Sequence, residues 1–240
     1  MISVCITTFN GEAFIGAQLE SILSQIGEND EVVLSDDGSS DSTLDVVSRL
    51  NDGRINVYRH DPSTVDTDFI LDRPTHNFEN ALLKAKGDVI FLSDQDDVWL
   101  PGKVNIMCEA LEEADLAVHD CIVVDKDLNE LLPSYFDWIG IHQGVWANFF
   151  RASYLGCCMA FRRNVLEAAL PFPRTKVGHD LWLGIVADKK FRTTLVREPL
   201  LYYRKHNGSK TTSGRKSENS LWYKLGYRVT VLKHILALYL

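Results

Sequence analysis

Val89-Ile90-Phe91-Leu92-Ser93-Asp94-Gln95-Asp96-Asp97 is an apolar run that ends in three carboxylates within four positions. Four uninterrupted apolar residues, entered from Gly87 at the end of a helix-like stretch, predict a strand buried on both faces. Carboxylates packed at the end of such a strand repel one another, which is costly unless a cation offsets it. Hard oxygen ligands of this kind suit Mg²⁺ or Mn²⁺, ions that keep waters and take phosphate oxygens as further ligands. A solvated acidic turn leading into the helix after Pro101 is the other reading of the same residues.

The strand-then-polar-end arrangement also occurs twice upstream. Ile2 to Thr8 is a short β-branched run closed by Asn10-Gly11, and Glu31 to Ser35 is a strand closed by Asp36-Asp37-Gly38-Ser39-Ser40-Asp41. Phe14, Leu19, Ile22, Leu23 and Ile26 between them recur at helical spacing. A second helix carries Leu44, Val47 and Leu50, Ile55 to His60 is a third strand, and a polar loop from Asp61 to His76 precedes a helix over 77–86. The order β-α-β-α-β-α-β with apolar strands predicts an α/β fold, a mostly parallel central sheet with helices on both faces. Three polar motifs then share the carboxyl edge of one sheet, where open α/β sheets bind ligands.

The second half is less regular. A helix is expected from Pro101 to about Ala114, a strand over 116–124, an apolar segment over 156–161, a short helix from Asn164 and another over 178–189. Arg192 to Val196 and Leu200 to Arg204 read as two strands, while 135–150 is rich in Trp, Phe and His without a clear period. The last twenty residues are helical by propensity and apolar nearly all round, so they pack on something.

In 240 residues, 45% hydrophobic and 24% charged, disorder and a disulfide-stapled miniprotein are excluded. A net charge of -8 argues against a nucleic-acid binder. The charge is segregated: residues 1–200 hold 32 Asp+Glu against 17 Lys+Arg, and residues 201–240 hold one against eight. Such a basic end suits an anionic surface, or is simply a solvated helix. Five cysteines without a CxxC fit neither a disulfide framework nor zinc and point to a reducing compartment. A secretory leader and a membrane-spanning run are not expected.

Three further pieces carry chemistry. Gly178-His179-Asp180-Leu181-Trp182 sets a carboxylate at a helix start, either as a cap or as a base. Tyr203-Arg204-Lys205-His206 brings cations and an imidazole to a strand end, and Gly156-Cys157-Cys158-Met159-Ala160-Phe161 is a small-residue apolar segment. With Ile6-Thr7-Thr8-Phe9-Asn10-Gly11-Glu12, Leu34 to Asp41, Asn77-Phe78-Glu79-Asn80-Ala81 and Phe91 to Trp99, they stand in one order from residue 2 to about 206. That ordered set resembles the family 2 glycosyltransferases of GT-A fold, and within them the bacterial polysaccharide branch that includes rhamnosyltransferases.

The resemblance implies an inverting, metal-dependent glycosyltransferase of surface-polysaccharide synthesis, capsule or lipopolysaccharide. A UDP- or dTDP-sugar would be the donor and a saccharide or lipid-linked saccharide the acceptor. Thr8, Asn10, Glu12, Asp36, Asn77, Asp94 and Arg204 would bind the nucleotide sugar. Asp96 and His206 would hold Mn²⁺ or Mg²⁺, Asp180 would be the catalytic base, and Trp182, Gly156 and Trp138 would meet the acceptor. Trp146 is a further candidate sugar-stacking surface, with core packing as the alternative for each tryptophan. The transferase domain would span 1–215, with a nucleotide half over 1–100 and an acceptor half over 101–215, followed by a helix over 216–240. Cytoplasmic localisation, with peripheral contact at the inner face of the plasma membrane through the basic tail, is the matching expectation. A phosphatase using Asp-x-Asp is disfavoured because Val98 stands where it needs Thr. A non-catalytic sugar-nucleotide-binding subunit is the alternative that keeps the same residues.

Overall fold

The computed structural model describes residues 1–64, 69, 71–174, 176–205 and 221–238. Its first half contains β1 (Ile2–Thr8), α1 (Ile15–Leu23), β2 (Glu31–Asp36), α2 (Thr43–Arg49), β3 (Ile55–Arg59), α3 (Asp72–Leu82) and β4 (Val89–Asp94). The second half contains β5 (Val98–Trp99), α4 (Lys103–Glu113), β6 (Leu116–Val124), β7 (Glu130–Leu132), α5 (Tyr135–Ile139), α6 (Val145–Phe150), β8 (Met159–Arg162), α7 (Arg163–Ala169), α8 (His179–Lys190), β9 (Thr193–Arg204) and α9 (Leu221–Ala237).

One sheet runs through both halves in the order β3-β2-β1-β4-β8-β6-β9-β5, with β7 paired to β6. The first four strands are parallel, as expected from their apolar runs. Val4, Cys5 and Ile6 of β1, Val32 to Leu34 of β2 and Ile90 to Leu92 of β4 are fully buried, the pattern of strands covered on both faces. Right-handed crossovers place α1 and α2, which lead from β1 to β2 to β3, on one face and α3, which returns to β4, on the other. Beyond β4 the sheet is mixed: β8 is antiparallel to β4 and β6, β9 is parallel to β6, and β5 is antiparallel to β9.

Two boundaries differ from the sequence reading. The helix expected over 77–86 begins at Asp72 and ends at Leu82. Its first turn, Asp72-Arg73-Pro74-Thr75, has no apolar period and reads as loop. It folds because the chain at 172–179 covers it: Asp72 Oδ1 accepts from the Lys176 amide at 2.7 Å, Thr75 Oγ1 from the His179 amide at 3.1 Å and Glu79 Oε1 from the Phe172 amide at 3.1 Å. Buried polar groups are tolerated where they are paired. The two strands expected over 192–196 and 200–204 are one, β9, kept continuous across Glu198-Pro199 by register shifts against β6. Proline cannot donate to the ladder, and an irregular pairing accommodates it.

The aromatic stretch over 135–150 forms two short helices, α5 and α6. The terminal helix α9 packs on the body. Val231 and Ile235 are buried, Tyr227 stacks on Phe69 with ring centroids 5.7 Å apart, and His234 meets Trp182 edge-on at 5.9 Å. All five cysteines are free thiols. Among the described residues no helix is long and apolar enough to cross a membrane.

Candidate active site

The register Thr8↔Asp36 and Thr7↔Asp94 puts the ends of β1, β2 and β4 at one level. A cleft of about 390 Å³ opens there. Thr8, Asn10, Asn77, Asp94, Asp96, Gly156, Asp180 and Arg204, residues singled out from the sequence, all line it. Asp37, Arg73, Gln95, Cys157 and His179 line it too.

One wall is the turn after β2. The Asp36 carboxylate is buried and faces its own turn: it accepts from Thr8 Oγ1 at 3.0 Å, the Gly38 and Ser39 amides at 3.1 and 2.9 Å, and Ser39 Oγ at 2.5 Å. It does not line the cleft. Its neighbour does: Asp37 pairs with His60 Nδ1 at 2.7 Å and with Arg73 Nε at 2.9 Å. The Arg73 guanidinium also lies 5.2 Å from the centroid of the Phe9 ring. Asn77, buried midway along α3, accepts from Ser35 Oγ at 2.5 Å and donates to the Ser35 carbonyl at 3.1 Å. Glu12 stays outside the cleft and accepts from the Ser42 amide at 2.8 Å, capping the entry to α2.

The floor is the Asp94-Gln95-Asp96-Asp97 loop. Gln95 closes a two-bond ring with the Phe9 backbone: Oε1 accepts from the amide at 2.9 Å and Nε2 donates to the carbonyl at 3.1 Å. A Cβ on Gly11 would lie 2.2 Å from Gln95 Oε1, so this tie requires glycine at that position. Arg204 clamps the loop from the end of β9. Its amide donates to Asp97 Oδ1 at 3.0 Å and its Nε to the Asp96 carbonyl at 2.7 Å.

Negative charge is concentrated here. Asp94 is pushed up to about 7, mainly by burial and then by the charges of Asp96 and Asp180. Burial, with Asp96 and Asp94, raises Asp97 well above the usual carboxylate range. Asp97 Oδ2 is buried without a hydrogen-bond partner. Ligand atoms of Asp94, Asp97 and Cys157 lie within 4.8 Å of one another. Two carboxylates, one with an orphaned oxygen, fit a hard divalent cation, while the thiol adds a softer donor. Asp96 faces the cleft beside this group. Behind it stands Lys103, fully buried, with Nζ 2.9 Å from the Cys157 carbonyl and 4.2 Å from the Trp99 ring centroid. Burial pulls Lys103 down to about 8. From the sequence Lys103 reads as an ordinary helix-start lysine, and only its buried neighbours reveal it.

The opposite wall carries Asp180, in the first turn of α8, with Oδ1 accepting from the Leu181 amide at 2.7 Å. His179 stacks on Phe78 at 4.0 Å between centroids, and burial lowers its pKa. Gly156 lets this turn approach: a Cβ there would sit 2.8 Å from His179 Nε2.

Two tryptophans expected at the acceptor do not line the cleft. Trp182 is buried and donates from Nε1 to the Ala169 carbonyl at 2.8 Å, so it is core. Trp138 is exposed on α5 with Lys205 Nζ 5.1 Å from its ring centroid. His206 lies outside the described residues. Asp37 and Arg73 are the charged cleft residues to which sequence reasoning gave no role. The doubled Asp36-Asp37 was a signal for the first, whereas Arg73 fell in the expected loop.

An α/β sheet whose acidic strand ends face a further carboxylate across one cleft has the architecture of the GT-A fold. The chain belongs to glycosyl transferase family 2, whose model matches residues 3–170. It is similar to the Escherichia coli UDP-Glc:alpha-D-GlcNAc-diphosphoundecaprenol beta-1,3-glucosyltransferase WfaP, at 28% identity over 87% of this chain and 79% of that protein. Among solved structures it resembles S. aureus TarS in complex with UDP-GlcNAc, with TM-score 0.70 and 20% identity over 96% of this chain and 66% of that one. It also resembles the Pyrobaculum calidifontis mannosyltransferase PcManGT in complex with GDP-Man and Mn²⁺, with TM-score 0.61 and 19% identity over 98% of this chain and 63% of that one. At these identities the structural matches speak to the fold.

Proposed function

We propose that this glycosyltransferase moves a sugar from a UDP- or dTDP-sugar to a saccharide or lipid-linked saccharide acceptor in bacterial surface-polysaccharide synthesis. The sugar inverts at the anomeric carbon, and the work takes place at the cytoplasmic face of the membrane. The carrying observation is that Asp94, Asp96 and Asp180 share one cleft, close enough for the Asp96 and Asp180 charges to raise Asp94. The acceptor class is supported by WfaP, whose name specifies a diphosphoundecaprenol-linked saccharide.

Each residue has a part in this reading. Thr8, Asn10, Asp37 and Arg73 bind the nucleoside, with Asn77 bracing that wall. Asp36 and Glu12 shape the turns that present them. Asp94 takes the ribose or the donor sugar, and Arg204 holds the acidic loop in place. Asp180 accepts the proton of the acceptor hydroxyl as that oxygen bonds to the anomeric carbon from the face opposite the leaving group. The bond from that carbon to the diphosphate oxygen breaks, and the nucleoside diphosphate leaves. Asp96, with Asp94, Asp97 and Cys157 beside it, would hold Mn²⁺ or Mg²⁺, and His206 would add a ligand from outside the described residues. That ion supplies charge neutralisation on the diphosphate. PcManGT carries Mn²⁺ with its sugar nucleotide, which supports this assignment. Gly156 keeps the acceptor side open.

Thermal shift with UDP, dTDP and GDP, each with and without Mn²⁺, tests the proposal. A ligand at ~100 times its Kd stabilises by about 2.7 kcal/mol. Metal-dependent stabilisation by one nucleotide is expected, and silence with all three overturns the reading. Binding without turnover would make the chain a non-catalytic sugar-nucleotide subunit.

A further inference from the structure

The α6 and α9 helices meet on a face that the cleft does not use. Trp146 is 49% exposed and Phe150 70% on α6, and Leu225, Val229 and Leu236 are 55, 44 and 52% exposed on α9. The two sets are joined physically. Arg228 donates from Nη2 to the Phe150 carbonyl at 2.6 Å, and its guanidinium lies 5.5 Å from the centroid of the Phe149 ring. Phe149 in turn touches Phe150 at 5.1 Å and Trp146 at 5.9 Å, both edge-on. On α9, Leu225, Val229, Lys233 and Leu236 follow helical spacing, so a second apolar stripe runs opposite the buried Val231 and Ile235.

Within the two helices the charge is one-signed, and the acid packed against α6, Asp188 of α8, is taken up by the Gly144 amide at 3.1 Å and Asn148 Nδ2 at 2.9 Å. Residues 142–151 and 221–240 contain no Asp or Glu, in a chain that holds 33 of them. Arg151 directly follows Phe150 in the chain, Lys233 lies on the outer stripe of α9 with Val229 and Leu236, and both are exposed. Tryptophan and phenylalanine exposed on helices that carry only basic charge match an interface between water and anionic lipid. The rings enter the headgroup boundary there and the cations meet lipid phosphates.

We propose that the α6–α9 face is a membrane-docking surface that takes anionic phospholipid, with Trp146 and Phe150 as its inserted anchors and Arg151 and Lys233 as its phosphate contacts. The face also has a position relative to the chemistry. His234 of α9 packs on Trp182, two residues past Asp180, and Tyr227 stacks on Phe69 near Leu71 of the cleft wall. Docking would therefore hold the Asp180 side of the cleft beside the lipid surface, where a lipid-linked acceptor lies. This last point rests on the function proposed above, while the docking itself does not.

The test is co-sedimentation with vesicles of phosphatidylcholine alone or with about 30% phosphatidylglycerol, at low and high salt. The wild type should favour the anionic vesicles at least about tenfold at low salt, since each basic residue at such a surface is worth about fivefold. Trp146→Ser/Phe150→Ser and Arg151→Glu/Lys233→Glu should each lose about tenfold or more, with nucleotide thermal shifts unchanged to show an intact fold and cleft. Brominated phosphatidylcholine in the anionic vesicles should quench a part of the emission that Trp146→Phe removes. Equal binding to both vesicle types, wild-type binding by the double variants, or a dimer in solution that the same variants dissolve would each overturn the proposal. Anionic-vesicle binding without any nucleotide response would sustain it while overturning the transferase assignment.

Discussion

Replacing Gly156 with alanine puts a methyl carbon 2.8 Å from His179 Nε2, where ordinary contact begins at 3.4 Å. The imidazole must retreat by about 0.6 Å, and it has little room. On one side it stacks on Phe78, itself 1% exposed, and its amide is held by Thr75 Oγ1. The first turn of α8 therefore moves instead, and Asp180 moves with it. Overpacking of this kind costs about 1–3 kcal/mol. For a domain of this size that lowers Tm by about 2–4 °C per kcal/mol. A catalytic group displaced by ~1 Å costs ~100-fold in rate, so a tenfold to hundredfold fall in kcat is expected. Nucleotide binding should persist, because Thr8, Asn10 and Asp37 stand on β1 and the turn after β2, beyond β4 from Gly156. Turnover is read as nucleoside diphosphate release, and stability as Tm with and without nucleotide. Gly53→Ala, where the added carbon meets nothing within 4 Å, is the control and should be near neutral. Wild-type kcat and Tm in Gly156→Ala would refute the reasoning, as would a loss confined to nucleotide binding.

Other perturbations have equally definite outcomes. Asp180→Asn should lose ~100-fold or more in turnover and keep its nucleotide thermal shift; full activity would remove the base assignment. Asp94, raised to about 7, holds its proton in the folded protein between about pH 4 and 7, where the unfolded chain has released it. The metal-free protein should therefore lose stability as pH rises through that window, by at most about 4 kcal/mol before solvent screening in the open cleft reduces it. Denaturant titrations at several pH values should show a steeper slope for the wild type than for Asp94→Asn, in which Asp97 still titrates from a raised pKa. Mn²⁺ affinity should rise over the same window, because the ligand must be deprotonated. Lys103→Met should destabilise by about 1–3 kcal/mol, since it leaves the buried Cys157 carbonyl without its Lys103 donor; an unchanged Tm would show that this buried hydrogen bond contributes nothing.

The sequence by itself determined the β1-β2-β3-β4 half, because the signals there are local. Apolar runs of strand length, helical spacing between them and polar residues at each strand end read the same in any context. It also pointed to Thr8, Asn10, Asp94, Asp96 and Asp180 together, from motifs at strand ends and a helix start in a fixed order, and these five line one cleft. The tertiary structure decided which neighbour in each motif faces the cleft. Asp36 turns into its own hydrogen-bonded turn and Asp37 into the opening, yet the two are chemically identical on paper. It decided the start of α3, whose polar first turn is paid for by partners a hundred residues away in the 172–179 segment. Trp182 was settled the same way, as a core residue bonded to Ala169 and not an acceptor platform. Lys103 is the extreme case: its carbonyl partner lies in the Gly156–Cys158 turn, 54 residues away, and the burial that lowers its pKa is closed by that turn. Hydrophobic period is carried by consecutive residues and survives in a bare sequence. Charge state and orientation are set by whichever atoms lie within a few ångströms, and only folding chooses those.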